Sequence, residues 1–199
     1  MNNLSAKAWE ERYQQGGDRW NLGFPAPPFV SLLNSPNAPQ PGKLAVLGCG
    51  KGHDALFFAD SGFEVIGFDF ADSAIAESTA TSKAKGITAQ FLQRDIFTLD
   101  REFANTFDYV IEHTCFCAID PSLRSQYVEI VKSILKPDGK LIALFYLHQR
   151  PGGPPFGANK EEILDYFGTD FEPISFQLAQ DSIERRRGDE YLAIFQLKS

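Results

Sequence analysis

The stretch Lys43-Leu44-Ala45-Val46-Leu47-Gly48-Cys49-Gly50-Lys51-Gly52-His53-Asp54 decides how the rest of the chain is read. Lys43 to Leu47 is a short apolar run of strand length. Three glycines at alternate positions follow, and a helical pattern from Asp54 to Asp60 comes next, closed by Gly62. Glycine at such a turn lets the backbone bend sharply and approach a ligand closely. A strand that ends in a glycine-rich turn and opens a helix is the first half of a βαβ unit.

Working outward, the same alternation recurs. Strands are predicted at Glu64 to Phe68, Ala89 to Gln93, Phe107 to Ile111 and Lys140 to Tyr146. Helices are predicted from Asp72 to Lys85, with Asp72 or Ser73 as cap and Gly86 as stop, and from Pro121 to Leu135, stopped at Lys136-Pro137-Asp138-Gly139. After Tyr146 the pattern changes. A Gly/Pro loop from Arg150 to Gly157 leads to a helix over Lys160 to Phe167. Two alternating runs follow, Phe171 to Leu178 and Tyr191 to Leu197, and read as an antiparallel pair at one sheet edge. The predicted class is α/β: a mostly parallel seven-stranded sheet with helices on both faces and a C-terminal antiparallel hairpin. We read one domain over 1–199, with an arm over 1–42 and the core over 43–199.

Composition narrows the function classes. The 199 residues are 43% hydrophobic and 23% charged, and the net charge is −7. A nucleic-acid binder carries a basic stripe; here the dense basic run is only Arg185, Arg186 and Arg187. That run reads as a solvated loop, with a gate over an anionic substrate as its alternative. We expect a small-molecule or anionic acceptor, no nucleic acid, no membrane partner and a monomer. The three cysteines, Cys49, Cys115 and Cys117, suit a reducing compartment. With an N-terminus lacking the apolar core of a signal peptide, they suggest the cytoplasm.

The chemistry gathers at strand ends. Asp69 closes Val65-Ile66-Gly67-Phe68-Asp69-Phe70, and an acidic residue about 20 positions past the glycines can accept hydrogen bonds from ribose hydroxyls. Asp95, in Arg94-Asp95-Ile96-Phe97, follows the third strand. The fourth ends in Glu112-His113-Thr114-Cys115-Phe116-Cys117-Ala118-Ile119-Asp120-Pro121, where His113, Cys115 and Cys117 would share one face if extended. Spacing that close is awkward for a metal site, and we expect none. In the arm, Trp9, Tyr13 and Trp20 either fasten it to the core or cover a ligand.

Glycines spaced GxGxG, rather than GxGxxG, with acids at Asp69 and Asp95 resemble the cofactor site of class I methyltransferases that use S-adenosylmethionine, a Rossmann-like sandwich. A further set of residues carries a closer resemblance, and its last two segments are the narrow signals. Asn21-Leu22-Gly23-Phe24-Pro25, Phe116-Cys117-Ala118-Ile119-Asp120-Pro121 and Gly152-Gly153-Pro154-Pro155-Phe156 resemble the thiopurine methyltransferase superfamily, in particular its halide and thiol methyltransferase branch. The resemblance implies S-adenosyl-L-methionine as cofactor, with Trp9, Tyr13 and Trp20 as a lid beside Gly48, Gly50, Asp69, Asp95, Ile96 and Glu112. It departs from the plant members at Glu112-His113, where they carry Asp-Tyr, and at Cys115, where they carry Phe. Tyr13 stands where they carry Trp.

The expected reaction is direct displacement of the sulfonium methyl by a small soft nucleophile: halide, bisulfide, thiocyanate or a small thiol. Trp20, Phe24, Phe116 and Tyr146 are expected as pocket walls, and His113 as the base for a neutral thiol, unless it is a rim histidine bonded to backbone. The alternatives are a larger aromatic thiol, selenium or tellurium compounds as acceptors, or a protein that binds S-adenosylmethionine without catalysis.

Overall fold

The computed structural model describes residues 4–198. Seven strands form one sheet: β1 (Lys43–Leu47), β2 (Glu64–Asp69), β3 (Gln90–Gln93), β4 (Phe107–His113), β5 (Leu135–Tyr146), β6 (Phe171–Leu178) and β7 (Glu190–Leu197). Their order is β3-β2-β1-β4-β5-β7-β6. The first five pair in parallel, and β7 runs antiparallel to both β5 and β6. The expected hairpin pair is therefore present, with its second strand inserted next to β5.

The helices are α1 (Ala6–Gln14), α2 (Pro27–Leu33), α3 (His53–Asp60), α4 (Asp72–Lys85), α5 (Asp100–Phe103), α6 (Arg124–Ile134) and α7 (Lys160–Phe167). Alternation along the strands sends side chains to two cores. Leu44, Val46 and Ile142 meet α2 and α3 on one face. Ala45, Leu47, Leu141, Ala143 and Phe145 meet α6 and α7 on the other.

Local chemistry accounts for several departures from expectation. The Pro-rich part of the arm contains a helix, because Pro27 and Pro28 occupy its first positions, where a missing N–H costs nothing, and Phe29 and Leu32 are buried. The helix predicted over Pro121–Leu135 is a short 3-10 turn, Pro121–Leu123, followed by α6; Leu135 already belongs to β5. Neither Asp72 nor Ser73 caps α4. Its N-cap is Ala71, which has no side-chain hydrogen bond to offer.

Candidate active site

A cavity of about 820 Å³ opens at the carboxyl edge of the sheet, where open α/β folds hold ligands. Each of the five parallel strands delivers residues to it: Gly48 after β1, Asp69 from β2, Asp95 and Ile96 after β3, Thr114, Cys115 and Cys117 after β4, and Tyr146 from β5. The arm closes one side with Trp9, Tyr13 and Trp20. These three rings pack edge to face, with centroids 5.1 Å apart for Trp9–Trp20 and 5.5 Å for Tyr13–Trp20.

The glycine turn is shaped for close approach. Gly48 and Gly50 have φ of +60° and +52°, which L side chains adopt only with strain. A Cβ at Gly48 would lie 3.0 Å from Cys115 Sγ, and one at Gly50 would lie 3.0 Å from the Tyr13 hydroxyl oxygen. Asp69 is buried and accepts N–H bonds from Gly50 and Ala71, each at 2.9 Å. Burial pushes its proton affinity up, and those backbone donors counter it. Asp95 accepts from Phe97 N–H at 3.0 Å and so braces a 3-10 turn over Ile96–Thr98.

The family model for thiopurine S-methyltransferase matches residues 4–198. The chain belongs to the thiopurine S-methyltransferase family. It is 32% identical to a probable thiol methyltransferase 2 of Arabidopsis thaliana over 198 residues, covering 96% of this chain and 85% of the relative. It is 33% identical to thiocyanate methyltransferase 1 of the same plant, covering 92% and 82%. A solved structure of a Burkholderia thailandensis 1,6-didemethyltoxoflavin-N1-methyltransferase, with bound S-adenosylhomocysteine, has the same fold at TM-score 0.78. That match has 18% identity and covers 98% of this chain and 88% of that one.

The protein is a S-adenosylmethionine-dependent methyltransferase. The cavity suits that cofactor: Gly48 lines it where a Cβ would meet Cys115, and two acid groups stand at successive strand ends; Gly50, expected beside the cofactor, also borders the neighbouring cleft and is not in the cavity lining.

Other residues of this thiopurine S-methyltransferase family member lie elsewhere than expected. Phe116 is 2% exposed and does not line the cavity. It packs against Tyr127, Phe145 and Tyr166 in the core, with the Arg124 guanidinium 4.8 Å from its ring centroid. Phe24 is 49% exposed and borders a small neighbouring cleft together with Gly50 and His113. Glu112 is buried behind the cavity and accepts from Phe116 N–H at 3.0 Å and the Tyr127 hydroxyl at 3.1 Å. Burial raises its pKa to about 7 against the pull of these donors. His113, Cys115 and Cys117 do not share a face, because β4 ends at His113 and Thr114 turns the chain with φ +59°. The two thiols line the cavity, and His113 does not.

His113 is instead the centre of a buried chain of charges. Its Nδ1 lies 2.7 Å from Asp54 Oδ2, and its Nε2 lies 2.8 Å from Arg186 Nη1. The other Asp54 oxygen accepts from Ala26 N–H at 2.7 Å. Arg186 also donates to Glu190 Oε1 at 2.9 Å and to the Trp20 carbonyl at 2.7 Å. Burial lowers the ring's proton affinity, whereas Asp54 and Glu190 raise it, to about 9 on balance, with Arg186 opposing them. The 2.8 Å contact is the stronger constraint. A guanidinium only donates, so Nε2 must present a lone pair, and the ring is neutral with its proton on Nδ1 toward Asp54.

The run expected as a solvated loop or a gate over an anionic substrate divides: Arg186 is 6% exposed and lines the cavity, Arg185 lines it from an exposed position, and Arg187 is exposed and does not. Beyond Glu190 four residues on, the partners of Arg186 are distant in sequence: His113 and the Trp20 carbonyl. Arg12 and Arg19 of the arm also line the cavity and went unmarked in the sequence. The two narrow signature segments meet: Phe156 N–H donates to the Cys117 carbonyl at 2.6 Å.

Proposed function

We propose that this methyltransferase alkylates a small, soft, anionic nucleophile such as iodide, bisulfide or thiocyanate. The observation that carries this reading is the cavity lining on the β4–β5 side. It offers a guanidinium, Arg186, and two neutral thiols, with Tyr146, Pro154 and Pro155, while no histidine lines the cavity among the described residues. An acceptor that arrives already ionised needs no general base. The relatives named thiol and thiocyanate methyltransferase support the same class.

S-adenosylmethionine supplies an electrophilic methyl on a sulfonium. When bound, it would give that methyl to the nucleophile, with the electron pair of the broken carbon–sulfur bond left on its sulfur. Charge is lost as anion and cation meet, so a dry wall speeds the step by removing water from the anion. Trp20 and Tyr146 are the walls we assign. Burial raises the thiols of Cys115 and Cys117, the latter to about 12, so both stay neutral, polarisable surfaces rather than competing nucleophiles. Arg186 draws the anion in. His113 holds Arg186 and is a positioning residue in this reading, not a proton acceptor. We assign cofactor contacts to Trp9, Tyr13, Trp20, Gly48, Asp69, Asp95 and Ile96.

A larger aromatic thiol is the second reading. It would need room beside the cofactor within the cavity of about 820 Å³, which the two share. The test incubates purified protein and S-adenosylmethionine with iodide, bisulfide, thiocyanate or thiophenol, and measures methylated product. Product from the small anions at rates above thiophenol supports the first reading. Turnover of thiophenol alone replaces it with the second.

A further inference from the structure

No residue of α1 is fully buried; Trp9 and Tyr13 pack on Trp20, and polar contacts to α4 add to the helix's seat on the core. Glu10 makes the key one. Ser73 N–H donates to Glu10 Oε2 at 3.0 Å, and the Ser73 hydroxyl donates to Oε1. Gln14, one turn further along α1, steadies Oε1 with a 2.7 Å bond from Nε2. The first N–H groups of any helix lack partners within it, and a carboxylate there is favoured by the helix dipole. In α4 the N-cap is Ala71, which cannot serve them, and Glu10 does so from another helix.

Position gives this contact its meaning. Trp9 precedes Glu10, Tyr13 lies three residues on, and both rings line the cavity. On the other side of the contact, Ala71 N–H is held by Asp69, the strand-end acid in the same cavity. A second bridge runs parallel: Lys51 of the glycine turn contacts Asp18 of the arm at 3.2 Å and Glu77 of α4 at 3.0 Å. The arm is thus tied twice to the first turns of α4, beside the loop that carries Asp69.

We propose that Glu10 is a positioning residue for the cofactor: by capping α4 from outside, it locks Trp9 and Tyr13 over the cavity in register with the Asp69 loop. This rests on the assignment of Trp9 and Tyr13 as cofactor contacts. Lid closure and the order of the Asp69–Ala71 segment then form one cooperative unit, because opening the arm leaves α4 uncapped.

The test is calorimetric titration of S-adenosylhomocysteine onto the full chain, with KM and kcat from product assays. Glu10→Ala is expected to weaken binding by about threefold to tenfold, the range of a lost helix cap; Ser73→Ala, which keeps the capped N–H and loses only the hydroxyl bond, weakens it less. KM for S-adenosylmethionine rises more than kcat falls. The double variant binds no more than about twofold weaker than Glu10→Ala, since Ser73→Ala removes only part of the contact that Glu10→Ala removes whole. Glu10→Gln, which keeps an acceptor oxygen, recovers part of the loss. Unchanged affinity in Glu10→Ala, or single losses that multiply in the double variant, overturns the proposal. So does a lower melting temperature of the unliganded protein with unchanged affinity. Trp9→Ala separates the two readings: if it weakens binding and Glu10→Ala does not, only this proposal falls; if neither does, the cofactor contact falls too.

Discussion

Arg186 Nη1 lies 2.8 Å from His113 Nε2, and this contact sets the role of both residues. The imidazole is spent as an acceptor on one side and bonded to Asp54 on the other. Arg186 in turn reaches the Trp20 carbonyl and Glu190, so one buried cluster ties β4, β7, α3 and the arm together at the cavity wall.

If His113 positions Arg186, His113→Ala slows methylation of iodide and of a neutral thiol alike, by at least tenfold, through misplacement of the guanidinium. Steady-state assays of both acceptors at pH 7 check this. A loss confined to the thiol would restore the base role.

Replacing Arg186 with lysine keeps the charge but loses the planar fork that serves His113, Glu190 and Trp20 together. Arg186→Lys is expected to raise KM for an anionic acceptor by about tenfold, the equivalent of one hydrogen bond to a charged group. Acceptor titrations at saturating S-adenosylmethionine measure it. A KM within twofold of wild type removes Arg186 from the acceptor site.

Gly50→Ala places a methyl group 3.0 Å from the Tyr13 hydroxyl on backbone with φ +52°. The left-handed conformation costs alanine about 1–2 kcal/mol. We expect a lower melting temperature and weaker S-adenosylhomocysteine binding, because Tyr13 must move away from the glycine turn. Calorimetry of unliganded and liganded protein reads both.

The Glu112 carboxyl, pushed up to about 7 by burial, makes a signed prediction. Between its unfolded value of 4.5 and about 7, the folded protein binds more protons than the unfolded chain. Stability therefore falls as pH rises through that window and levels off above it, by up to about 3 kcal/mol from this group. Glu112→Gln cannot ionise and should flatten that slope. Melting curves from pH 4.5 to 8 decide it, and an equal slope in both proteins would show that another group titrates.

Much of the architecture is local, and so legible in the chain. Strand and helix periods, Gly86 at the end of α4 and the glycine turn after β1 all act over a few residues. They place Gly48, Asp69 and Asp95 at successive carboxyl ends before any packing is known. The same holds for Trp9, Tyr13 and Trp20 as a set, although their seat on the core is not a local matter.

What only the tertiary structure decided is which polar groups meet. Glu112 and His113 are neighbours in sequence, yet successive strand residues face opposite ways. One braces Phe116 and Tyr127, and the other joins Asp54 and Arg186, 59 and 73 residues away. Phe116 looked like a pocket wall and became core, because β4 turns at Thr114 and α6 and α7 close over it. Arg186 is singled out from Arg185 and Arg187 by burial and by two distant partners, His113 and the Trp20 carbonyl, beside nearby Glu190. Hydrophobic period and turn chemistry act between near neighbours and are written in the order of residues. Hydrogen-bond pairing between buried charges depends on distance in space, which the chain acquires only once the sheet has formed.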